Sequence, residues 1–473
     1  MTKASTPSQP NAQQHSRASS LATYVLALTL CGVVSGGVGA FMILFLRACV
    51  WVFFGTWNES FMVALQGANP TRRIFAVIIG AACASAVWAW LRRTESVLSV
   101  AGLLKATQYT GARLAPRRLL AMIACALVQV MAVGAGNSFG RENAPRQMAA
   151  AISYAITTRL RINAQLARYA IAASAGAALA AVYNTPIAAI AFTAGVTLRQ
   201  YSWKICTSAA YVSAIATPIV WIVNHGAPST PLRFPSAGQM LQRLEQISTL
   251  EGIVLAVIFV LVIVCSAVVG IIMRQLCTGA TRYAQRHYAV VSTRQQRALM
   301  MVTMLSAGTL TGCVAVIIPQ LLGNGKNTLD ILYGNATPIV AISLAVACGV
   351  LVLKPLLTAY SLRAGMIGGL LMPSASVGAS LGCALCIAAQ WFVPGFTLPI
   401  APLIAAMALI GAACVLAVTQ RSGIFATVFL IELAHVNMWM WLLVGIGVAC
   451  AVLFSRYIEQ WLERQQPEPN PTK

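Results

Sequence analysis

Apolar stretches follow one another from Leu21 to Phe454, and several of the segments between turns are too short to cross a bilayer. A perpendicular spanning helix needs about 20 apolar residues. Segments 250–273, 298–319 and 337–361 reach that length, whereas Pro186 to Leu198 and Gly423 to Leu433 do not. Two further stretches are opened by glycine and proline, Gly140-Arg141-Glu142-Asn143-Ala144-Pro145 and Gly368-Gly369-Leu370-Leu371-Met372-Pro373. Broken helices are tolerated at membrane depth only where protein or a polar cavity surrounds them, so the pattern predicts an all-α integral membrane protein built around a transport site. With 59% hydrophobic and only 9% charged residues, against about 25% charged in a soluble domain, a soluble globular protein is excluded.

The first apolar run, Leu21 to Gly55, is interrupted only by Arg47 and is too long for the h-region of a cleaved signal peptide. Residues 1–20 are expected to be a disordered cytoplasmic tail, 21–455 one transmembrane domain, and 456–473 a short cytoplasmic tail, with no soluble catalytic or regulatory domain at either end.

Lys and Arg number 32 against 10 Asp and Glu, a net charge of +22. Arg274, Arg282, Arg286, Arg294 and Arg297 read as one polar connection, which the positive-inside rule makes cytoplasmic. Arg113, Arg117 and Arg118 form a second basic loop, and Arg159, Arg161 and Arg168 a third. Nucleic-acid binding would gather such charge on one soluble face with aromatics between, a pattern the chain lacks. The cysteines are scattered in apolar runs; Cys383 and Cys386 form a C-x-x-C without the second pair a zinc site needs, and read as small core residues.

The short elements come in pairs. Asn184-Thr185-Pro186-Ile187-Ala188-Ala189-Ile190-Ala191-Phe192 matches Arg421 to Phe429, with Ile187/Ile424, Ala189/Ala426 and Phe192/Phe429 separated by 237 residues. Gly140 pairs with Gly369 at 229, and Val100 to Lys105 more loosely with Leu322 to Lys326 at 221. Three matches in one order at similar spacing predict a duplicated architecture, with halves at about 75–225 and 298–455.

A helix that starts inside the membrane presents unpaired N–H groups and about half a positive charge, which suits an anion. Glycine lets the ion approach the backbone, and proline in the first turn forfeits a donor the helix does not need. Both breaks carry this chemistry, and duplication would bring them to one midplane site for a small anion. Glu142 stands where that anion would be held, beside Arg141. As a carboxylate it can occupy the site when ionised and vacate it when protonated, which predicts a gate; pairing with Arg141 is the structural alternative. Glu432 is a secondary candidate for a proton path, with a structural role as its alternative and His435 as its expected hydrogen-bond partner.

Taken together, Gly-Arg-Glu-x-x-Pro at 140–145, Gly-Gly-x-x-x-Pro at 368–373, Asn-x-Pro-Ile-Ala-x-Ile-x-Phe at 184–192 and Leu-Gly-Asn-Gly-Lys at 322–326 resemble the CLC chloride channels and proton/chloride antiporters. The resemblance covers about residues 20–455. It implies a CLC-type inverted repeat of tilted and partial helices, a homodimer with one anion pathway per subunit, and a multi-pass location in the cell membrane, here the bacterial inner membrane. It further implies chloride held by backbone N–H groups of Leu370 and Leu371 and, at the outer site, of Arg141, Glu142 and Asn143, with Glu142 as the gating glutamate that exchanges protons in the antiporters. Neither cofactor nor metal is implied; chloride is the transported ligand.

Several positions depart from the family pattern. Gly-Ser-Gly-Ile-Pro is missing, with Ser99 standing in for its hydroxyl. Two residues rather than one separate Glu142 from Pro145, and Leu371 replaces the usual Phe. The C-terminal Tyr of the central site falls on Trp461 without gaps, or on Tyr457 with a deletion. The internal proton glutamate of the antiporters falls on Val196, beside Gly195. Passive chloride conduction is therefore the leading expectation, with proton/chloride exchange by another internal route as the alternative and a fluoride-selective exchanger as a lesser one. Gly136-Asn137-Ser138-Phe139-Gly140 fits a hydrolase elbow, but such an elbow needs a strand-to-helix turn and a triad that this helical sequence does not offer, so no catalytic residue is expected.

Overall fold

In hydrocarbon each backbone N–H and C=O must be satisfied within the protein, and this chain meets the demand with helices. The computed structural model describes residues 11–57, 61–93, 95, 97–109, 114–227, 229–232, 247–334, 342–394 and 400–465, with the backbone alone for 11–19. Among the described residues there are seventeen α-helices and no β-strand. Eleven helices are long and apolar enough to cross a membrane, as expected of a multi-pass membrane protein.

Two helices, α1 (Asn11–Phe54) and α2 (Phe61–Gly67), precede the first half. That half comprises α3 (Pro70–Leu91), α4 (Val100–Tyr109), α5 (Pro116–Gly134), α6 (Asn143–Arg159), α7 (Ala164–Tyr183), α8 (Pro186–Phe192) and α9 (Trp203–Asn224). After the linking α10 (Thr249–Tyr288), the second half repeats the order as α11 (Arg294–Val314), α12 (Lys326–Leu332), α13 (Leu344–Arg363), α14 (Leu371–Phe392), α15 (Ile400–Gln420), α16 (Gly423–Ala434) and α17 (Met438–Arg464). The fold is a CLC-type inverted repeat of full and partial helices.

The correspondence reaches individual turns. Pro145 and Pro373 each occupy the third position of their helix, where the missing N–H would have had no intrahelical acceptor. Asn184 and Arg421 both take the left-handed conformation, at φ 55° and 53°, to stop α7 and α15. The short α8 and α16 follow at once.

Small residues decide which helices lie at the centre. The spanning window of α14 is 89% buried and that of α7 83%, against 33% for α1. α14 meets α15 at Gly378, Gly382 and Gly411, where an added Cβ would run into the facing backbone. Such close approach is how membrane helices gain packing energy where lipid supplies no hydrophobic drive between them. The central helices thereby wrap the two breaks, while α1, α10, α11 and α17 turn apolar side chains outward.

Some boundaries differ from the sequence expectation. The polar 1–20 segment enters α1 at Asn11, immediately after Pro10, because no proline or glycine interrupts the run that follows. α17 likewise continues past 455 to Arg464. Arg274, Arg282 and Arg286 are not in a loop: they lie on the C-terminal part of α10, with Arg286 and His287 in its last turn, where positive charge is favoured. Arg294 and Arg297 open α11. Arg113, residues 337–341 of one expected span and the polar end from 466 lie outside the described residues.

Candidate functional site

The two glycine-led breaks meet. Gly140 N–H donates to the Gly369 carbonyl at 2.9 Å and Gly369 N–H to the Gly140 carbonyl at 2.7 Å, an isolated antiparallel bridge between the halves. A Cβ on Gly140 would collide with the Glu142 carboxylate and the Gly369 backbone, so glycine is required by close approach. Leu370 immediately precedes α14 and Leu371 opens it.

Glu142, the residue before α6, is 1% exposed and turned across this bridge. Its Oε1 accepts from Met372 N–H in the first turn of α14 at 3.3 Å, from Tyr183 Oη at 3.4 Å and from Asn324 Nδ2 at 3.5 Å. Oε2 has no partner among the described residues. The carboxylate thus lies at a helix N-terminus in the other half, where unpaired N–H groups favour negative charge. No ion pair joins it to Arg141 among the described residues. Arg146, one turn into α6, lies over the Phe192 ring at 4.5 Å from its centre.

Asn143 faces away from the bridge into a cluster of amides. Its Nδ2 donates to Gln129 Oε1 at 3.3 Å, Gln129 Nε2 to Gln147 Oε1 at 3.0 Å, and Gln147 Nε2 to the Leu98 carbonyl at 3.1 Å. A cavity of about 410 Å³ opens here, lined by Ser99, Asn143, Gln147, Gly368 and the buried Arg92. Ser99 accepts from Gly102 N–H at 3.1 Å, so its oxygen also caps α4.

Glu432 serves a different helix start. Its two oxygens accept from Ile187 N–H at 2.9 Å and Ala188 N–H at 2.6 Å, closing the first turn of α8 in the opposite half. His435 is not its side-chain partner: it ends α16 at φ 50°, with its backbone N–H donating to the Glu432 carbonyl at 3.3 Å. Gly195 and Val196 lie in a π-helical turn, Thr193–Leu198, that follows α8. A Cβ at Gly195 would meet Tyr201 Oη at 2.5 Å and Ser422 Oγ at 2.7 Å, and the adjoining cavity of about 630 Å³ is also lined by Arg421 and Arg456.

A sequence model of the family described as voltage gated chloride channel matches residues 80–454, from α3 to α17. The chain belongs to the voltage gated chloride channel, or CLC, family. Among curated CLC relatives, the H(+)/Cl(-) exchange transporter ClcA of Vibrio vulnificus is 25% identical over 85% of this chain and 84% of its own length. The voltage-gated ClC-type chloride channel ClcB of Salmonella typhimurium is 24% identical over 90% of this chain and 94% of its own. The match to ClcA of Vibrio campbellii, at 26% identity, spans 60% of that protein. Among solved structures, a slow cyanobacterial Cl-/H+ antiporter superposes with a TM-score of 0.68 at 18% identity, covering 93% of this chain and 97% of that one. A CLC-type fluoride/proton antiporter gives 0.62 at 20%, covering 92% and 96%.

Within this CLC frame the structure brings Arg141, Glu142, Asn143, Leu370 and Leu371 together at the bridge, with Ser99 on the adjacent cavity. Tyr457 lies near the end of α17 and is 65% exposed; the phenol beside Glu142 is that of Tyr183. Sequence reasoning missed Tyr183, Asn324, Gln129 and Gln147. Two of these had a nearby signal, since Tyr183 directly precedes the 184–192 motif and Asn324 is the centre of 322–326. The hydroxyl of Ser138 is buried without a hydrogen-bond partner among the described residues.

Proposed function

We propose that this CLC protein conducts chloride passively, down its gradient, through a pathway gated by Glu142. The observation that carries the reading is the Glu142 carboxylate lying over the Gly140–Gly369 bridge against the Met372 N–H, as an anion seated among backbone donors. When it is ionised it competes with chloride for those donors; when it is protonated the competition ends, so conduction rises as pH falls. The names of the curated relatives support chloride as the anion. Passive conduction is supported by the inner end, where the antiporter glutamate is replaced by Val196 and Gly195 beside a cavity that Arg421 and Arg456 line. The family resemblance further supports a homodimer in the bacterial inner membrane with both termini cytoplasmic.

A second reading, proton/chloride exchange by another internal route, is favoured by the ClcA relatives, which are named exchange transporters. A fluoride-selective exchanger is a lesser variant, separable by anion competition. The deciding experiment is the reversal potential of purified protein under crossed chloride and pH gradients. A potential that follows chloride alone establishes the channel; displacement toward the proton potential replaces it with the exchanger.

A further inference from the structure

Three polar side chains from outside α6 converge behind Glu142. Tyr183 ends α7, and its position is fixed from α9. The Asn184 amide that follows donates to the Gly226 carbonyl at 2.9 Å and accepts from Trp221 Nε1 at 2.8 Å. The ring packs edge-on against Phe429 at 5.7 Å, and the hydroxyl points at Glu142 Oε1. Asn324 lies between Gly323 and Gly325, at φ 70° and 97°, in a turn that only such residues adopt readily. Its Nδ2 donates to Tyr183 Oη at 3.2 Å and to the same Glu142 oxygen, so the donors run in series from amide to phenol to carboxylate.

The turn that carries Asn324 is itself held. Lys354 of α13 is fully buried, and its Nζ donates to the Leu321 carbonyl at 2.8 Å and to the Gly323 carbonyl at 2.6 Å. A buried ammonium is costly unless its donors are used. It makes no ion pair among the described residues, and Glu142 is the acid that acts on it electrostatically.

We propose that Tyr183 and Asn324, with Lys354 fixing the Asn324 turn, form a latch that keeps the Glu142 carboxylate in the anion position and so sets how readily chloride displaces it. The proposal rests on Glu142 being the gate. All three are positioning residues. The bonds to Glu142 are long, at 3.4 and 3.5 Å, so the latch is shallow and each member contributes a small bias rather than a lock.

Calorimetric titration of chloride into the purified full chain tests this in a double-mutant cycle. Tyr183→Phe and Asn324→Ala are expected to raise chloride affinity by about three- to tenfold each. In a Glu142→Ala background the same substitutions are expected to do nothing, because no carboxylate remains to be held. An equal effect in both backgrounds, or none in the native one, overturns the latch. If Glu142→Ala itself leaves affinity unchanged, the gate reading falls and the latch with it. If Glu142→Ala raises affinity while Tyr183→Phe does not, the latch alone falls. Tyr183→Phe removes only the hydroxyl, so it decides the matter even if Asn324→Ala or Lys354→Met fails to fold; Lys354→Arg, which keeps the donors, is expected to behave as the native protein.

Discussion

Glu142 and Glu432 do the same thing in opposite halves with opposite consequences. Each carboxylate reaches across to the N-terminal N–H groups of a helix in the other half, Glu142 to α14 and Glu432 to α8. Glu432 accepts two short bonds, one on each oxygen, at 2.9 and 2.6 Å. Glu142 accepts three bonds of 3.3 to 3.5 Å on a single oxygen, while the other has no partner among the described residues. Matched donors make a carboxylate a staple. Long bonds and an unpartnered oxygen make it replaceable, which is what a gate requires. Each half has lost the acid that the other keeps: Leu370, beside the second break, is neutral, and Gly195 and Val196 stand where the repeat of Glu432 would fall.

The strongest way to break this comparison is at the bridge. Gly140→Val forces a side chain into the Gly369 backbone and the Glu142 carboxylate. It is expected to abolish chloride flux in liposomes and to cost about 1–3 kcal/mol of stability or more. A variant that still conducts at the native rate would show that the two breaks need not touch.

Next in size is Glu142→Gln, which mimics the protonated side chain. Native flux is expected to rise as pH falls and the carboxylate loses its charge, whereas flux through the variant stays high and flat across the same range. A variant that keeps the native pH profile would transfer the gate to another group. Glu432→Gln sharpens the contrast from the other side. It leaves one α8 N–H without an acceptor, so stability should fall by about 1–3 kcal/mol in a thermal melt, with the flux per folded molecule and its pH profile intact. If proton movement disappears instead, Glu432 is a proton carrier and not a staple.

The smallest expected effect comes from returning an acid to the inner end. Val196→Glu is partly exposed beside the cavity that Arg421 and Arg456 line. It should add a slight proton flux without altering chloride flux, read from simultaneous pH and chloride electrodes. Strong coupling from this one change would mean that the rest of a proton path is already present.

Much of the site was legible because its residues announce themselves by chemistry. An acid between Gly140 and Pro145 in an apolar chain is conspicuous, and the pairing of Gly140 with Gly369 across 229 residues became a physical bridge. Glu432 was equally conspicuous but ambiguous, since spacing along one helix does not reveal that its partners are N–H groups of a helix more than 200 residues earlier. Tyr183, Asn324 and Lys354 were silent. Their donors act only through positions set by α9, the 322–326 turn and α13, and no local pattern marks a hydroxyl that will meet a carboxylate 41 residues away.

By itself, then, the amino-acid sequence determined a helical membrane protein of two matched halves, because apolar length, glycine and proline act locally and repeat visibly. It also determined that an anion would meet backbone N–H groups and that Glu142 would stand among them. Tertiary structure alone decided which carboxylate is held tightly and which loosely. That difference lies in distances between segments far apart in the chain, and a few tenths of an ångström separate a staple from a gate.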